Sequence, residues 1–323
     1  MKLTIRNVRR IWADTNHNAF TDLCLFRDEL YLTFRTCPDG HGISRHAKVR
    51  VLKSPDQGKS WKQVTEFRVP HRDTRDPHFL LFNDLLFVVS GTWLCPEGWD
   101  RYDINEHLGY ASWTTDGSEW HGPKSLEGTY GHYAWRAAAF KGKAYLCGRR
   151  KRDFAHEPGK GEGGETTESA LLESEDGLVW RFRSRFQTEY GDETAFLFED
   201  DGSILALARC LQGRNAQICR SKPPYTEWTR TDLGRYVGGP MIVKWGSDIL
   251  AAGRKTLHGN PPVTTLYELV DDQLRELVEL PSGGDNSYTG FSQISTDTAL
   301  ISYYSSHETG PHAAIYLATV RKQ

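Results

Sequence analysis

Short apolar runs alternate with polar positions along the whole chain and are separated by polar turns of two or three residues. Apolar runs bounded by such turns predict strands, and turns such as Arg27-Asp28, Asn83-Asp84 and Lys141-Gly142 predict hairpins. Six units can be laid out on this pattern. Their inner strand pairs are residues 19–26 with 30–34, 79–82 with 85–90, 136–140 with 143–147, 194–198 with 203–208, 241–243 with 248–252, and 290–294 with 298–304. The sixth unit lacks an outermost strand after residues 313–320. Residues 2–11 alternate and are expected to supply it, so that the N-terminus closes the ring and leaves no open sheet edge.

A motif recurs in the turns. Ser54-Pro55-Asp56-Gln57-Gly58-Lys59-Ser60-Trp61 is matched by Thr114-Thr115-Asp116-Gly117-Ser118-Glu119-Trp120 and by Ser174-Glu175-Asp176-Gly177-Leu178-Val179-Trp180. A decayed copy runs from Ser221 to Trp228. The Asp side chain caps its own turn, the Gly takes a positive φ, and the indole packs between sheets. Four copies at intervals of about fifty to sixty residues indicate a repeat architecture. The pattern resembles the Asp-box, or BNR repeat, of the sialidase-like β-propellers. That resemblance implies an all-β, six-bladed β-propeller occupying residues 1–323 as one domain. Asp-boxes lie on the outer rim of that fold, so Trp61, Trp120 and Trp180 are expected to be buried and remote from the pocket.

Composition fits many short strands joined by tight turns, with 10 Trp, 14 Tyr and 30 Gly in 323 residues. A net charge of −2 gives no support to a nucleic-acid or anionic-membrane partner. No apolar run is long enough for a membrane span, and the first residues lead directly into a strand; no leader and a cytoplasmic location are therefore expected. The six cysteines have no CxxC spacing, and Cys24, Cys147 and Cys219 are expected to be free thiols inside apolar strands. No spacing suggests a metal site or a phosphate loop, so no cofactor is expected. Two inserts stand out, residues 93–107 and 151–167. Inserts of this kind wall clefts or are solvated loops, and the stretch 159–164 reads as a solvated loop.

In a propeller the residues that open each inner strand converge on the axis. Here they are His17-Asn18, Arg75-Asp76-Pro77, Tyr133-Ala134-Trp135-Arg136, Asp192-Glu193-Thr194, Gly238-Gly239-Pro240 and Asp285-Asn286-Ser287-Tyr288. Second strands end in Arg35, Arg209, Arg254 and Tyr304. Parts of this set resemble the sialidases, and segments such as Arg75-Asp76-Pro77 resemble bacterial proteins labelled exo-sialidase-like. The resemblance implies that Tyr288, in Ser287-Tyr288-Thr289-Gly290-Phe291, is the nucleophile and that Glu193 activates it. It implies that Arg209 and Arg254 are two arginines of the family's carboxylate clamp, and that the acid lies in the loop after Arg35, with Asp39 and His41 as rivals. Where the family carries its first arginine this chain has His17-Asn18-Ala19-Phe20. An amide does not replace a bidentate clamp, so weak or absent activity on ordinary sialosides is expected.

The implied partner is a glycan or small acidic sugar, cleaved by an exo-acting glycoside hydrolase. A polysaccharide lyase acting on a uronate and a non-catalytic glycan-binding propeller are the alternatives. Arg75, Asp76, Glu193, Arg209, Arg254 and Tyr288 are expected to line one axial pocket, with His17, Asn18, Arg35, Trp135, Arg136, Asp285 and Tyr304 as further binding residues. The arginines are expected to lower the pKa of Tyr288 and to favour an anionic ligand. Each residue also has a structural alternative. Tyr288 can pack on Trp135, Glu193 can pair with Arg136 or Arg209, and Asp39-Gly40, Asp76-Pro77 and Gly284-Asp285 can be plain turns.

Overall fold

The computed structural model describes residues 1–99, 102–155, 163–256 and 262–323. Its strands form six four-stranded antiparallel sheets in the order of the chain. The inner strands are His17–Phe26, Arg72–Phe82, Tyr133–Phe140, Gly191–Phe198, Gly238–Trp245 and Asn286–Gln293. The last sheet takes its outermost strand from the other end of the chain: Leu3–Trp12 pairs antiparallel with Ala314–Lys322. This is a six-bladed β-propeller closed by its N-terminus, as the alternation in residues 2–11 predicts.

Apolar clusters fill the spaces between neighbouring blades. Leu80, Phe82 and Phe87 of blade two, for example, pack with Leu146, Leu172 and Trp180 of blade three. The Asp–Gly–Trp turns fasten these contacts. Asp56 Oδ1 accepts from the Ser60 amide at 2.8 Å, Asp116 Oδ1 from the Ser118 amide at 2.8 Å and Asp176 Oδ1 from the Leu178 amide at 2.8 Å. Gly117, at φ 78°, lies so close to blade one that an added Cβ would stand 1.8 Å from Tyr31 Oη. Of the three indoles only Trp180 is buried, at 2% exposure; Trp61 and Trp120 lie partly open to solvent, contrary to expectation. None of the three lines the axial cavity.

Every inner strand begins earlier than its apolar pattern predicts, for one shared reason. Close to its start each carries a bulge in which two residues face one on the second strand. The bulged pairs are Phe20-Thr21, Asp76-Pro77, Trp135-Arg136, Asp192-Glu193, Gly239-Pro240 and Tyr288-Thr289. Bulges interrupt the alternation and re-aim side chains. Here they turn six sets of side chains toward the axis. Arg136 closes the channel beneath them, donating to Pro240 O at 3.0 Å, Thr289 O at 2.7 Å and Asp22 Oδ1 at 3.4 Å.

All six cysteines are free thiols, five of them buried and Cys24 partly so. Among the described residues no helix is long and apolar enough to cross a membrane. In the first insert Trp93 and Tyr102 line the cavity. The second is tied to it where Asn105 Nδ2 donates to Phe154 O at 3.1 Å. The expected loop at 159–164 lies largely outside the described residues.

Candidate active site

A cavity of about 410 Å³ opens at the axis, lined among others by Phe20, His41, Arg75, Asp76, Glu193, Arg209 and Tyr288. Five of the six residues expected to share one pocket therefore do. The sixth, Arg254, stands just outside this lining, with Nη1 4.0 Å from Asp285 Oδ1.

Tyr288 sits on its bulge with φ 52°, a strained value for a residue with a large side chain. Its ring lies directly on Gly239, where an added Cβ would come within 2.5 Å of the Tyr288 ring. Phe20 packs edge-on against it, with centroids 4.8 Å apart. Its hydroxyl donates to Glu193 Oε1 at 2.5 Å. Arg209 Nη1 bridges the pair, 2.9 Å from Glu193 Oε2 and 3.4 Å from Tyr288 Oη. The expectation of a lowered Tyr288 pKa is overturned. Burial, reinforced by the Glu193 charge, raises it well above the usual tyrosine value and outweighs Arg209 and Arg254.

The cavity's arginines are already matched by carboxylates. Arg75 Nη1 lies 3.2 Å from Asp73 Oδ2, and Arg149 Nη1 2.6 Å from Asp192 Oδ1. Arg209 meets both Glu193 and, through Nε, Asp192 Oδ2 at 2.9 Å, a close ion pair whose angle is poor for a hydrogen bond. The site is thus a charge-balanced network and not the bare positive patch that a count of arginines suggests.

A second carboxylate–phenol pair faces the same cavity. Tyr133 Oη donates to Asp76 Oδ2, while Asp76 Oδ1 has no hydrogen-bond partner among the described residues. Burial, with the charge of Glu193, raises Asp76 to about 6 against the pull of Arg75. Tyr133, one of the blade-opening residues but not one of the expected binding residues, lines the cavity, and so does Arg149, which the sequence does not single out. Their signal is positional: Tyr133 opens its blade directly opposite Arg149, just as Gly238 opens another opposite Arg254.

The remaining candidates divide into two groups. His17 Nε2 and His41 Nδ1 both meet Asp285 Oδ2, at 2.7 and 2.5 Å, and Tyr304 Oη donates to Asp285 Oδ1 at 2.8 Å. Burial would raise the pKa of Asp285, but these histidines hold it well below the usual carboxylate range. The donor atoms of His17, His41 and Asp285 lie within 4.8 Å of one another, and each histidine uses the nitrogen that faces Asp285 in its hydrogen bond. The other group is structural. Arg35 is fully buried, paired with Asp73 at 3.1 Å and donating to Gly40 O and Gly42 O at 3.0 and 2.8 Å, so it shapes the loop that carries His41. Asn18 Nδ2 is tied to Asp14 Oδ1 at 2.8 Å and to Asn16 O at 3.1 Å, and lines no part of the cavity. Trp135 packs edge-on against Tyr288 and Arg136 donates to Thr289 O, and neither lines the cavity. Asp39 is exposed, bonded to Ser44 and to His46 Nδ1 at 2.7 Å, and lies outside the cavity lining.

No protein-family model matches the sequence, and no curated protein matches it. Solved structures do. A protein of unknown function from Dyadobacter fermentans is similar over all of both chains, with 20% identity and a TM-score of 0.82. The Trypanosoma rangeli sialidase in complex with sialic acid matches 94% of this chain at 14% identity and a TM-score of 0.69, and the Hadza microbial sialidase Hz136 matches 94% at 13% and 0.72. The match covers only 54% and 65% of those two sialidase chains. At such identities the likeness is one of fold. The chain is a six-bladed β-propeller of the sialidase-like type.

Proposed function

We propose that this chain is a carbohydrate-active enzyme, an exo-acting glycoside hydrolase that cleaves an acidic or highly hydroxylated terminal sugar in the axial cavity. One observation carries the reading: the 2.5 Å hydrogen bond from Tyr288 Oη to Glu193 Oε1, bridged by Arg209, inside a cavity. A tyrosine that keeps its proton is a poor nucleophile unless a base takes that proton as it attacks, and Glu193 is placed to do so. Arg136 spans the axial channel beneath the cavity, and a site closed at one end suits the end of a glycan better than its middle. The matched arginines favour hydroxyl recognition over a carboxylate clamp, which also speaks against a lyase, whose uronate needs a free cation.

The test is a panel of aryl glycosides covering neutral sugars, uronic acids and sialic acid. The wild type is expected to release the aryl group from one class, with sialosides slow because Asn18 stands where the first arginine of a carboxylate clamp is expected. Tyr288→Phe should abolish this turnover and Glu193→Gln should lower it about 10²–10⁴-fold, as for loss of a general base. A product absorbing in the near ultraviolet from a uronate glycan would make the chain a lyase. Binding without turnover by any of these substrates would make it a lectin-like propeller.

A further inference from the structure

Building on the glycosidase reading, we propose that Asp76 is the acid and base of the reaction, giving a proton to the departing oxygen from Oδ1 and later taking one from water. Asp76 stands on the bulge of the second inner strand with φ 50°, lines the cavity, and is only 4% exposed. Phe20, Gly239 and Tyr288 share this backbone value at the same place in their own bulges, so it belongs to the bulge that aims the side chain at the axis. Its two oxygens are not equivalent. Oδ2 accepts the phenol hydrogen of Tyr133, whose own pKa is raised well above the usual tyrosine value by burial and by Asp76. Tyr133 therefore stays a donor, Oδ2 stays an acceptor, and an acid proton on Asp76 belongs on Oδ1. Among the described residues that oxygen has no hydrogen-bond partner, and Arg75 Nε is 3.9 Å away. A buried carboxyl oxygen without a partner at the wall of a cavity awaits a ligand group.

The surroundings suit a carboxyl that is protonated part of the time. Burial, Glu193 and Asp73 favour the neutral form and Arg75 opposes them, leaving Asp76 near 6. A catalytic acid works best when its pKa lies close to the working pH. The candidates suggested by the sequence are placed less well, Asp39 outside the cavity and His41 bonded to Asp285. In the first step Asp76 Oδ1 protonates the glycosidic oxygen as its bond to the anomeric carbon breaks. Tyr288 Oη bonds that carbon, and its proton passes to Glu193 Oε1. In the second step water attacks the carbon and gives a proton to Asp76 Oδ1. The bond to Tyr288 breaks, and Glu193 returns the proton to Tyr288 Oη.

The experiment compares wild type and Asp76→Asn on aryl and alkyl glycosides of the one sugar cleaved, with leaving groups from dinitrophenol to a simple alcohol. With poor leaving groups the variant should lose about 10²–10⁴-fold in kcat/KM, and with dinitrophenol little. Azide should restore its turnover and give a glycosyl azide. The fall of wild-type kcat/KM above pH about 6 should vanish in Asp76→Asn. It should move to higher pH in Tyr133→Phe, which removes a hydrogen bond to the carboxylate. An equal loss for every leaving group, without azide rescue, would make Asp76 a binding residue and overturn the proposal while the glycosidase reading stands. If Asp76→Asn does not fold, an unmoved profile in Tyr133→Phe overturns the proposal. A wild type that cleaves no glycoside removes both.

Discussion

Asp76 shows how one residue's setting gives a prediction apart from catalysis. Its folded pKa, about 6, lies above the ordinary 3.8, so folding favours the protonated carboxyl. The associated stability is complete below pH 3.8 and is lost as pH rises through 6. The full loss at neutral pH is about 3 kcal/mol, at 1.36 kcal/mol per pKa unit. Asp76→Asn removes that dependence. Urea unfolding should show the variant more stable than wild type by up to about 3 kcal/mol at pH 7, with the difference closing by pH 4; an equal difference at both values would contradict the assigned pKa. The sequence makes Asp76 visible as a residue opening a blade. Its unpartnered oxygen and its phenol partner depend on a neighbouring blade, which local pattern cannot show. Arg149 is not singled out by the sequence, although it lies near the end of its strand as Arg209 and Arg254 lie at or near the ends of theirs.

The elements follow the same division. Strand segments beyond each bulge are short apolar runs and are legible, and so are the turns between them. The segments up to and including the bulge contain Arg75, Gly191, Asp192, Gly238 and Pro240 and read as loop, although Arg75, Gly191 and Gly238 pair with the second strands. The Asp–Gly–Trp turns reveal the repeat but not how deep each indole sits, because that depends on the blade alongside. Trp180 is buried within the cluster between blades two and three, where Trp180→Ala should cost about 3–5 kcal/mol. Trp61→Ala and Trp120→Ala should cost clearly less, since both indoles are partly open to water. Chemical denaturation of the three variants checks the order. Activity per folded molecule should be unchanged in all of them, because none of the three lines the cavity.

At the scale of the whole molecule, ring closure turns separate blade openings into one site. Residues as far apart in sequence as Asp76, Glu193 and Tyr288 share a cavity because each lies on the bulge of an inner strand. Their convergence could be foreseen from the six-unit layout. The balance of charge could not, since Asp73 and Asp192 neutralise the arginines from buried positions that resemble ordinary strand residues. The central claim is that Tyr288 attacks the sugar, and trapping it in the act tests this most directly. The protein would be treated with a fluorinated glycosyl fluoride of the sugar it cleaves, digested, and its peptides mapped by mass. The predicted result is one sugar attached to the peptide bearing Tyr288, and none in Tyr288→Phe. Turnover without an adduct on Tyr288, or an adduct on Glu193 or Asp76, would contradict the account.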